Sequence, residues 1–216
     1  MSRTRLVAGA AVLAVLSGGM YWKMGTLKIP AYEALRVIDG DTFETTEKQL
    51  IRLAHVDAPE TGLCGSEAAK KELEKRIMGK PVYIKVNFRD RYMRLISLVY
   101  TPDGFVNEKM VENGLTVFRL AGPKTLETEI MEKAADKVIS GKSGLYGEPC
   151  SQKTNKTNPR CVIKGNVRPE KGTKIYSVPG CESYASTLVQ LHLGDGWFCT
   201  EKEAVKAGFI KAGGCP

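Results

Sequence analysis

Apolar and polar residues along positions 32–146 follow patterns that predict five strands and three helices. Alternation of apolar and polar side chains, bounded by turn residues, predicts strands at residues 33–38, 42–46, 49–55, 82–88 and 95–100. Apolar residues at helical spacing predict helices at residues 66–78, 106–112 and 126–139. The order of these elements mixes strands and helices within one stretch of chain, which indicates an α+β fold.

Five strands with inserted helices fit a small OB-fold barrel, a five-stranded fold whose open face commonly holds nucleic acid. We therefore predict one barrel domain over residues 32–150 with about three helices. The polar stretch SQKTNKTNP at residues 151–159 has the composition of a linker. A small Cys-rich C-terminal domain is then expected over residues 160–216.

The N-terminal segment has the pattern of an export signal or membrane anchor. Arg3 and Arg5 precede an apolar run over residues 6–22, which is short for a bilayer span of about 20 residues. We expect residues 1–25 to be a signal peptide or an uncleaved N-terminal membrane anchor. The rest of the chain would then be extracytoplasmic, either membrane-anchored or secreted.

Charge and cysteine content agree with that location. The 216-residue chain carries 32 Lys and Arg against 24 Asp and Glu, a net charge of +8 that suits a polyanionic partner or serves solubility alone. An even number of cysteines in an exported chain indicates disulfides before it indicates a metal site. The six disulfide candidates are Cys64, Cys150, Cys161, Cys181, Cys199 and Cys215.

Carboxylates and arginines concentrate in four short segments near predicted strand ends. These are IDGDT at 38–42, IRL at 51–53, VDAPET at 56–61 and DRYMR at 90–94. Carboxylate oxygens suit Ca²⁺ or Mg²⁺, and planar arginines suit phosphate, so this inventory fits phosphodiester hydrolysis. Each segment alone could equally be a turn, a cap or a solvated strand. Arg52 and Asp57 are five residues apart, so the chain must bend before Pro59 if both are to serve one site.

The order IDGDT, IRLAHVDAPET, DRYMR and VNEKMVENGL closely resembles the staphylococcal nuclease domain over residues 32–146. This resemblance implies an OB-fold phosphodiesterase that uses one Ca²⁺ ion and cuts DNA and RNA, single-stranded substrates preferentially, as a monomer. The resemblance also assigns roles to residues. It implies that Asp41, Asp57 and the Ala58 backbone carbonyl bind Ca²⁺, with Asp39 supporting them. Glu60 would activate the attacking water. Arg52 and Arg94 would clamp the phosphate, and Tyr92 would contact the substrate.

Three positions depart from the pattern of the family. Ala58 replaces a common threonine, Met93 stands where a glycine is usual, and Leu120 falls near a position that often holds a substrate-stacking tyrosine. The expected acidic and basic residues are all present, which favours an active enzyme. The alternatives are a non-catalytic nucleic-acid-binding module and a cell-surface adhesion or wall-binding protein whose C-terminal domain carries the function.

The C-terminal part is similar to the small "sunset"-type domain appended to bacterial nuclease domains, and its tail WFCTEKEAVKAGF is similar to the metal-binding domain of the Ada repair protein. Disulfides and a four-cysteine zinc site are therefore rival interpretations, of which we favour disulfides. The expected pairs are Cys64–Cys150, Cys161–Cys215 and Cys181–Cys199. Tyr176, Tyr184 and Trp197 are expected to be core residues rather than a nucleic-acid surface.

Overall fold

The computed structural model describes residues 31–215. The segment that we expect to be a signal peptide or anchor, residues 1–25, lies outside this range. Within residues 31–215, no helix is both long enough and apolar enough to cross a membrane.

The first part of the described chain is a barrel with three helices. Its strands are β1 (Tyr32–Val37), β2 (Thr42–Thr45), β3 (Leu50–Leu53), β4 (Val56–Asp57), β5 (Pro81–Arg89), β6 (Leu95–Thr101), β7 (Gly104–Phe105) and β8 (Val117–Phe118). Its helices are α1 (Ser66–Ile77), α2 (Val106–Glu112) and α3 (Leu126–Ser140).

Five of these strands close into the predicted barrel. β3, β2, β1, β5 and β6 are neighbours in that order through antiparallel pairings, and a parallel pairing between β3 and β6 closes the ring. In that closing pair Ile51 lies opposite Leu95 and Leu53 opposite Ser97. The predicted α+β fold with a five-stranded OB-type barrel is confirmed.

The barrel core follows from the alternation in the sequence. Phe43 and Ile51, one from each of two paired strands, are fully buried, and α1 covers the core with Ala69, Leu73 and Ile77. These three helical residues share one face because they lie four residues apart. The same helix places its N-terminus beside the loop that follows β4.

The strand predicted over residues 49–55 is wrong at its C-terminal end. β3 ends at Leu53, and Ala54 and His55 form a turn before the two-residue strand β4. His55 has a φ of 63°, in the left-handed region that a strand does not use. The bend that the predicted site requires is therefore located at His55, four residues before Pro59.

Residues after 150 form a second, smaller unit. Its elements are β9 (Ser151–Gln152), β10 (Ile163–Arg168), β11 (Thr173–Ser177), β12 (Val189–Gln190), a 3₁₀ turn (Leu191–Leu193), β13 (Gly196–Phe198), α4 (Glu201–Lys206) and β14 (Ile210–Lys211). The four-stranded sheet has the order β13, β10, β11, β14. Its core consists of Ile163, Tyr176, Ala204 and Phe209. The first residues of the segment expected to be a linker form β9, which pairs with β12.

Disulfides join all six cysteines, and the predicted bond between Cys64 and Cys150 is confirmed, with Cα atoms 5.5 Å apart. This bond connects the loop after β4 to the end of the barrel domain. Because it joins residues 86 positions apart, it restricts the unfolded chain strongly.

The pairing predicted inside the small unit is wrong. The observed bonds are Cys161–Cys199 and Cys181–Cys215. Strand register explains both: β10 pairs with β13 so that Cys161 and Cys199 flank the same pair of strands, and the parallel pairing of β11 with β14 carries Cys181 towards Cys215. The four cysteines therefore form two disulfides rather than the rival zinc site.

Candidate active site

The tight turn between β1 and β2 is the first element of the site. The amides of Ile38 and Asp39 donate to the carbonyl oxygen of Thr42, at 2.9 and 3.3 Å. The carboxylate of Asp39 accepts a hydrogen bond of 3.0 Å from the amide of Asp41, a local bond that is typical of aspartate in turns. Burial and the negative charge of Asp41 raise the pKa of Asp39. Asp39 thus stabilises the backbone conformation that presents Asp41.

Gly40 lies where this turn touches two other elements. A Cβ atom at this position would be 2.5 Å from the Cβ of Ala69 in α1 and 2.8 Å from the Cβ of Ala58 in the loop after β4. Carbon atoms in contact normally lie about 3.5–4.0 Å apart. The absence of a side chain at Gly40 therefore allows the turn, α1 and the loop to meet.

Asp41 connects the turn to the loop after β4. It is 4% exposed, and it accepts hydrogen bonds from the Thr42 hydroxyl at 2.8 Å and from the Ala58 amide at 2.9 Å. It also forms an ion pair with Arg52. A buried carboxylate needs such partners because an unpaired buried charge is costly.

Arg52 joins the two aspartates that the sequence singles out. It lies on β3 opposite Thr42 on one side and Ile96 on the other, so its position is determined by two strand pairings. One terminal nitrogen contacts Asp41, and the other donates to Asp57 at 2.7 Å. Burial opposes the charge of Arg52, but the attraction of Asp41 and Asp57 outweighs it, and the net effect raises its pKa. Arg52 is therefore a permanent cation held between two carboxylates.

The turn at His55 brings a further arginine to the site. The His55 carbonyl accepts a hydrogen bond of 2.8 Å from the amide of Arg119, and its Nδ1 accepts one of 3.3 Å from the amide of Ala121. Burial lowers the pKa of His55. The Nε atom of Arg119 lies 3.7 Å from the second carboxylate oxygen of Asp57. Sequence reasoning missed Arg119, because the pairing of β4 with β8 that places it joins segments about 60 residues apart.

Arg94 is held by a second turn, between β5 and β6. One carboxylate oxygen of Asp90 accepts hydrogen bonds of 2.9 Å from the amides of Tyr92 and Arg94. The other oxygen lies 2.9 Å from both Nε and a terminal nitrogen of Arg94. Met93 has a φ of 64°, which explains why a glycine is usual at this position. The turn nevertheless retains the bonds that orient Arg94.

Tyr92 and Leu120 are both exposed beside this arrangement. The guanidinium groups of Arg91 and Arg94 lie 4.8 and 5.4 Å from the centre of the Tyr92 ring. Tyr92 is therefore close to Arg94 but contributes no side chain to the cleft described next.

Three of the four arginines described above line an open cleft of about 370 Å³. The charged residues that line it are Arg52, Asp57, Asp90, Arg94 and Arg119. A guanidinium is planar and presents several N–H donors, a geometry that suits the oxygens of a phosphate. The cleft thus offers a phosphodiester three arginines in one place.

A second cavity of about 210 Å³ adjoins the first and shares Asp57 and Arg119 with it. Ala58 and Glu60 also line it. Pro169, His192 and Leu193 line the side contributed by the small C-terminal unit. Five of the predicted residues line one or both of these spaces: Arg52, Asp57, Ala58, Glu60 and Arg94. Asp41 lines neither space, but it contacts Arg52 and the Ala58 amide.

Glu60 is exposed, and no ion pair or side-chain hydrogen bond holds it within the described part of the chain. Its carboxylate lines the second cavity together with Asp57. This freedom distinguishes Glu60 from Asp41, Asp57 and Asp90, each of which is bonded to an arginine.

The donor set around Asp41 and Asp57 is compatible with a hard divalent cation. The two carboxylates are close enough to share one guanidinium, and all available ligands are oxygens, which Ca²⁺ and Mg²⁺ prefer. Within residues 31–215, no group of three His, Cys, Asp or Glu side chains is arranged as a metal site. A cation here would draw its remaining ligands from backbone carbonyls, such as that of Ala58, and from water.

Comparison with known proteins agrees with this geometry. The sequence profile described as "Staphylococcal nuclease homologue" matches residues 50–148, a range that includes Arg52, Asp57, Glu60 and Arg94 and begins after Asp41.

Individual relatives extend the comparison. The micrococcal nuclease of Shigella flexneri is 29% identical over 171 residues, covering 70% of this chain and 90% of that protein. A protein named as an uncharacterized endonuclease from Escherichia coli O157:H7 is 38% identical over 84 residues, or 37% of this chain and 55% of that protein. The staphylococcal-like nuclease CAN1 of Arabidopsis thaliana is 33% identical over 101 residues, or 46% of this chain and 31% of that protein.

The chain spans about a third of the length of the relatives from Capnoides sempervirens and Oryza sativa. The profile match over residues 50–148, the nuclease-named relatives and the closed five-stranded barrel together show that this part of the chain is similar to the staphylococcal nuclease domain.

Proposed function

We propose that the chain is a Ca²⁺-dependent nuclease that hydrolyses phosphodiester bonds in DNA and RNA with little sequence specificity and a preference for single strands. The observation that carries the proposal is the cleft in which three arginines and Asp57 surround one space, beside an unpaired Glu60. The profile match and the names of the relatives support the same activity.

Each residue has a role that follows from its contacts. Arg52 and Arg94 are oriented by carboxylates, so they stabilise negative charge on the phosphoryl oxygens as it increases in the transition state. The free carboxylate of Glu60 removes a proton from the attacking water. Tyr92 contacts the substrate at the edge of the cleft.

Asp41, Asp57 and the backbone carbonyl of Ala58 are the proposed Ca²⁺ ligands, and Asp39 supports them through its bond to the Asp41 amide. When bound, the cation supplies Lewis-acid polarisation of a phosphate oxygen. The protein itself contributes the fixed position of the two carboxylates, which depends on Gly40 and Arg52.

Cleavage of single-stranded DNA by the purified chain tests the proposal. We expect cleavage with Ca²⁺, none with EGTA, and a loss of about 10²–10⁴-fold in Glu60→Gln, the range for removing a general base. Glu67→Gln removes the same charge from an exposed position in the first turn of α1 and is expected to retain activity. Arg94→Lys keeps the charge but loses the paired bonds to Asp90, and we expect a loss of about 10²–10³-fold.

Two outcomes would contradict the proposal. Cleavage that persists in Glu60→Gln would remove Glu60 from the mechanism. Tight, salt-sensitive binding without cleavage would instead support the non-catalytic binding module, because phosphate contacts alone confer salt-dependent affinity.

We also propose that the chain acts outside the cytoplasm as a monomer, either secreted or tethered by its N-terminal segment. Three disulfides fit an oxidising compartment. Fractionation of producing cells tests the location: protein confined to the cytosol with reduced cysteines would contradict it. Light scattering coupled to size exclusion tests the oligomeric state.

A further inference from the structure

A pocket in the C-terminal unit has the composition of a nucleotide site. Its volume is about 400 Å³, which is within the usual range for small-molecule pockets. It shares no residue with the two cavities at the candidate active site. The side chains that carry the argument are Lys153, Lys164, Tyr184 and Trp197.

Lys164 places a buried positive charge at this pocket. It lies on β10 and is 2% exposed. Its ammonium group donates to the backbone carbonyls of Tyr184 and Thr187, at 2.9 and 2.6 Å. Within residues 31–215 it forms no ion pair with a carboxylate, and no Asp or Glu lines the pocket.

Lys153 adds a second positive charge on the same side. It is exposed at the start of the small unit, and it is close enough to Lys164 that its charge, together with burial, lowers the pKa of Lys164. Two cations that face one space without a carboxylate create a positive potential there. An anionic group is therefore the complementary ligand.

Tyr184 and Trp197 supply the apolar part of the lining. The Tyr184 hydroxyl donates to the carbonyl of Val162 at 2.6 Å, and the indole nitrogen of Trp197 donates to Gln152 at 2.7 Å. The polar atoms of both rings are thus already satisfied, and the bonds hold the rings in place. Fixed aromatic rings next to cations form the kind of platform on which nucleic-acid bases stack.

This arrangement changes the interpretation of the aromatic residues. Tyr176 is a core residue, as expected, and its hydroxyl bonds to Glu201. Tyr184 and Trp197 are instead only partly buried and line the pocket.

We propose that this pocket binds one nucleotide unit of a single-stranded nucleic acid, with a phosphate near Lys153 and Lys164 and the base against Tyr184 and Trp197. A nucleotide combines the anionic and the aromatic group that the lining complements. The small unit as a whole carries 10 Lys and Arg against 5 Asp and Glu, which favours the approach of a polyanion. The choice of ligand rests on the proposed nuclease function, but the binding itself requires no catalysis.

Trp197 provides a local reporter for the test. The chain has two tryptophans, and Trp22→Phe leaves Trp197 as the only one. In the full-length chain carrying Trp22→Phe and Glu60→Gln, with EGTA present, we would titrate a short single-stranded DNA, adenosine monophosphate, adenosine and inorganic phosphate. We expect saturable quenching of Trp197 fluorescence by the DNA and the monophosphate, and weaker effects of adenosine or phosphate alone.

Matched lysine variants separate the pocket from general charge. Lys153→Ala is expected to weaken DNA binding severalfold and to reduce the slope of log Kd against log salt concentration by about 0.7, as for the loss of one phosphate contact to a single strand. Lys171→Ala removes an exposed lysine of the same unit that does not line the pocket and is expected to leave binding unchanged. Both positions are exposed, so both variants should fold, which circular dichroism would verify.

Three results would overturn the proposal: no saturable quenching by nucleotide or DNA, equal weakening by Lys153→Ala and Lys171→Ala, or quenching by inorganic phosphate as strong as that by the monophosphate. The outcome is independent of cleavage. Quenching in this variant, when the parent chain with Ca²⁺ cuts no DNA, would support the pocket and contradict the nuclease. Cleavage by the parent chain without quenching in the variant would do the reverse.

Discussion

Replacement of Gly40 by alanine tests whether close packing of three elements positions the candidate active site. The turn that carries Gly40 meets Ala69 of α1 and Ala58 of the loop after β4. Asp41 follows Gly40 directly, and the Ala58 amide bonds to Asp41. We therefore expect Gly40→Ala to reduce stability and nuclease activity together.

The magnitude follows from the two distances. The new methyl group would be 2.5 and 2.8 Å from two Cβ atoms that are attached directly to backbone. Restoring ordinary contact requires movements of about 1 Å, since carbon atoms pack at about 3.5–4.0 Å. Overpacking of this kind costs about 1–3 kcal/mol. A 1 Å displacement of catalytic groups reduces activity by about 10²-fold.

Urea unfolding followed by circular dichroism measures the first effect, and cleavage of single-stranded DNA with Ca²⁺ measures the second. Gly213→Ala is the matched control, because a Cβ at Gly213 would meet nothing within 4 Å and its φ is not in the left-handed region. We expect this control to be within about 0.5 kcal/mol of the parent chain, as for other surface substitutions.

Ala69→Gly provides a rescue, since it removes the atom that lies nearest to the new methyl group. Alone it should cost about 1 kcal/mol as a glycine within a helix. Combined with Gly40→Ala, the loss should be smaller than the sum of the two single effects by about 0.5 kcal/mol or more, the usual coupling between residues in contact. Strict additivity, or a Gly40→Ala variant with unchanged stability and cleavage, would refute the packing argument.

Three further predictions concern other contacts. Arg52→Met leaves two carboxylates without their cation, which should lower the free energy of unfolding by about 3–5 kcal/mol in EGTA. Ca²⁺ should raise the melting temperature of this variant more than that of the parent chain. An equal rise in both would contradict the proposed ligands. Replacing Cys64 and Cys150 by alanine removes a disulfide between residues 86 positions apart and should lower the free energy of unfolding by about 4–5 kcal/mol. An unchanged urea midpoint would contradict this prediction. The hydrogen bond from Lys85, with smaller contributions from the backbone amide of Glu127 and from Thr125, lowers the pKa of Glu127 from 4.5 to about 2. The ionised Glu127 therefore stabilises the fold fully above pH 4.5, and this effect is lost as pH falls towards 2. The difference in the free energy of unfolding between the parent chain and Lys85→Met, under about 1 kcal/mol for a surface pair, should narrow over that window. A difference that widens on acidification would contradict this prediction.

Local pattern in the sequence was sufficient to predict the barrel. Strands such as Leu50–Leu53 alternate because one face is buried, and helices such as α1 carry an apolar stripe at fixed spacing. Motif order was likewise sufficient to nominate Arg52, Asp57 and Arg94, which the structure brings to one cleft. The elements depend on neighbours along the chain and the motifs on their order, so both are present in the sequence itself.

Contacts between distant segments were decided only by the tertiary structure. The turn at His55 interrupts an apolar run that reads as one strand, and it brings Arg52 and Asp57 together although strand periodicity separates them. The pairing of β4 with β8 brings Arg119 to Asp57.

The C-terminal unit shows the same division. Its even number of cysteines predicts disulfides, but the partners depend on which strands are neighbours, and the order along the chain suggested the wrong pairs. Its aromatic residues read alike in sequence, yet Tyr176 is buried in the core while Tyr184 and Trp197 line a pocket. Strand register joins residues tens of positions apart, and no local property of either segment records its partner. The sequence by itself therefore determined the elements and the chemical inventory of this protein, whereas the tertiary structure decided which groups share a site.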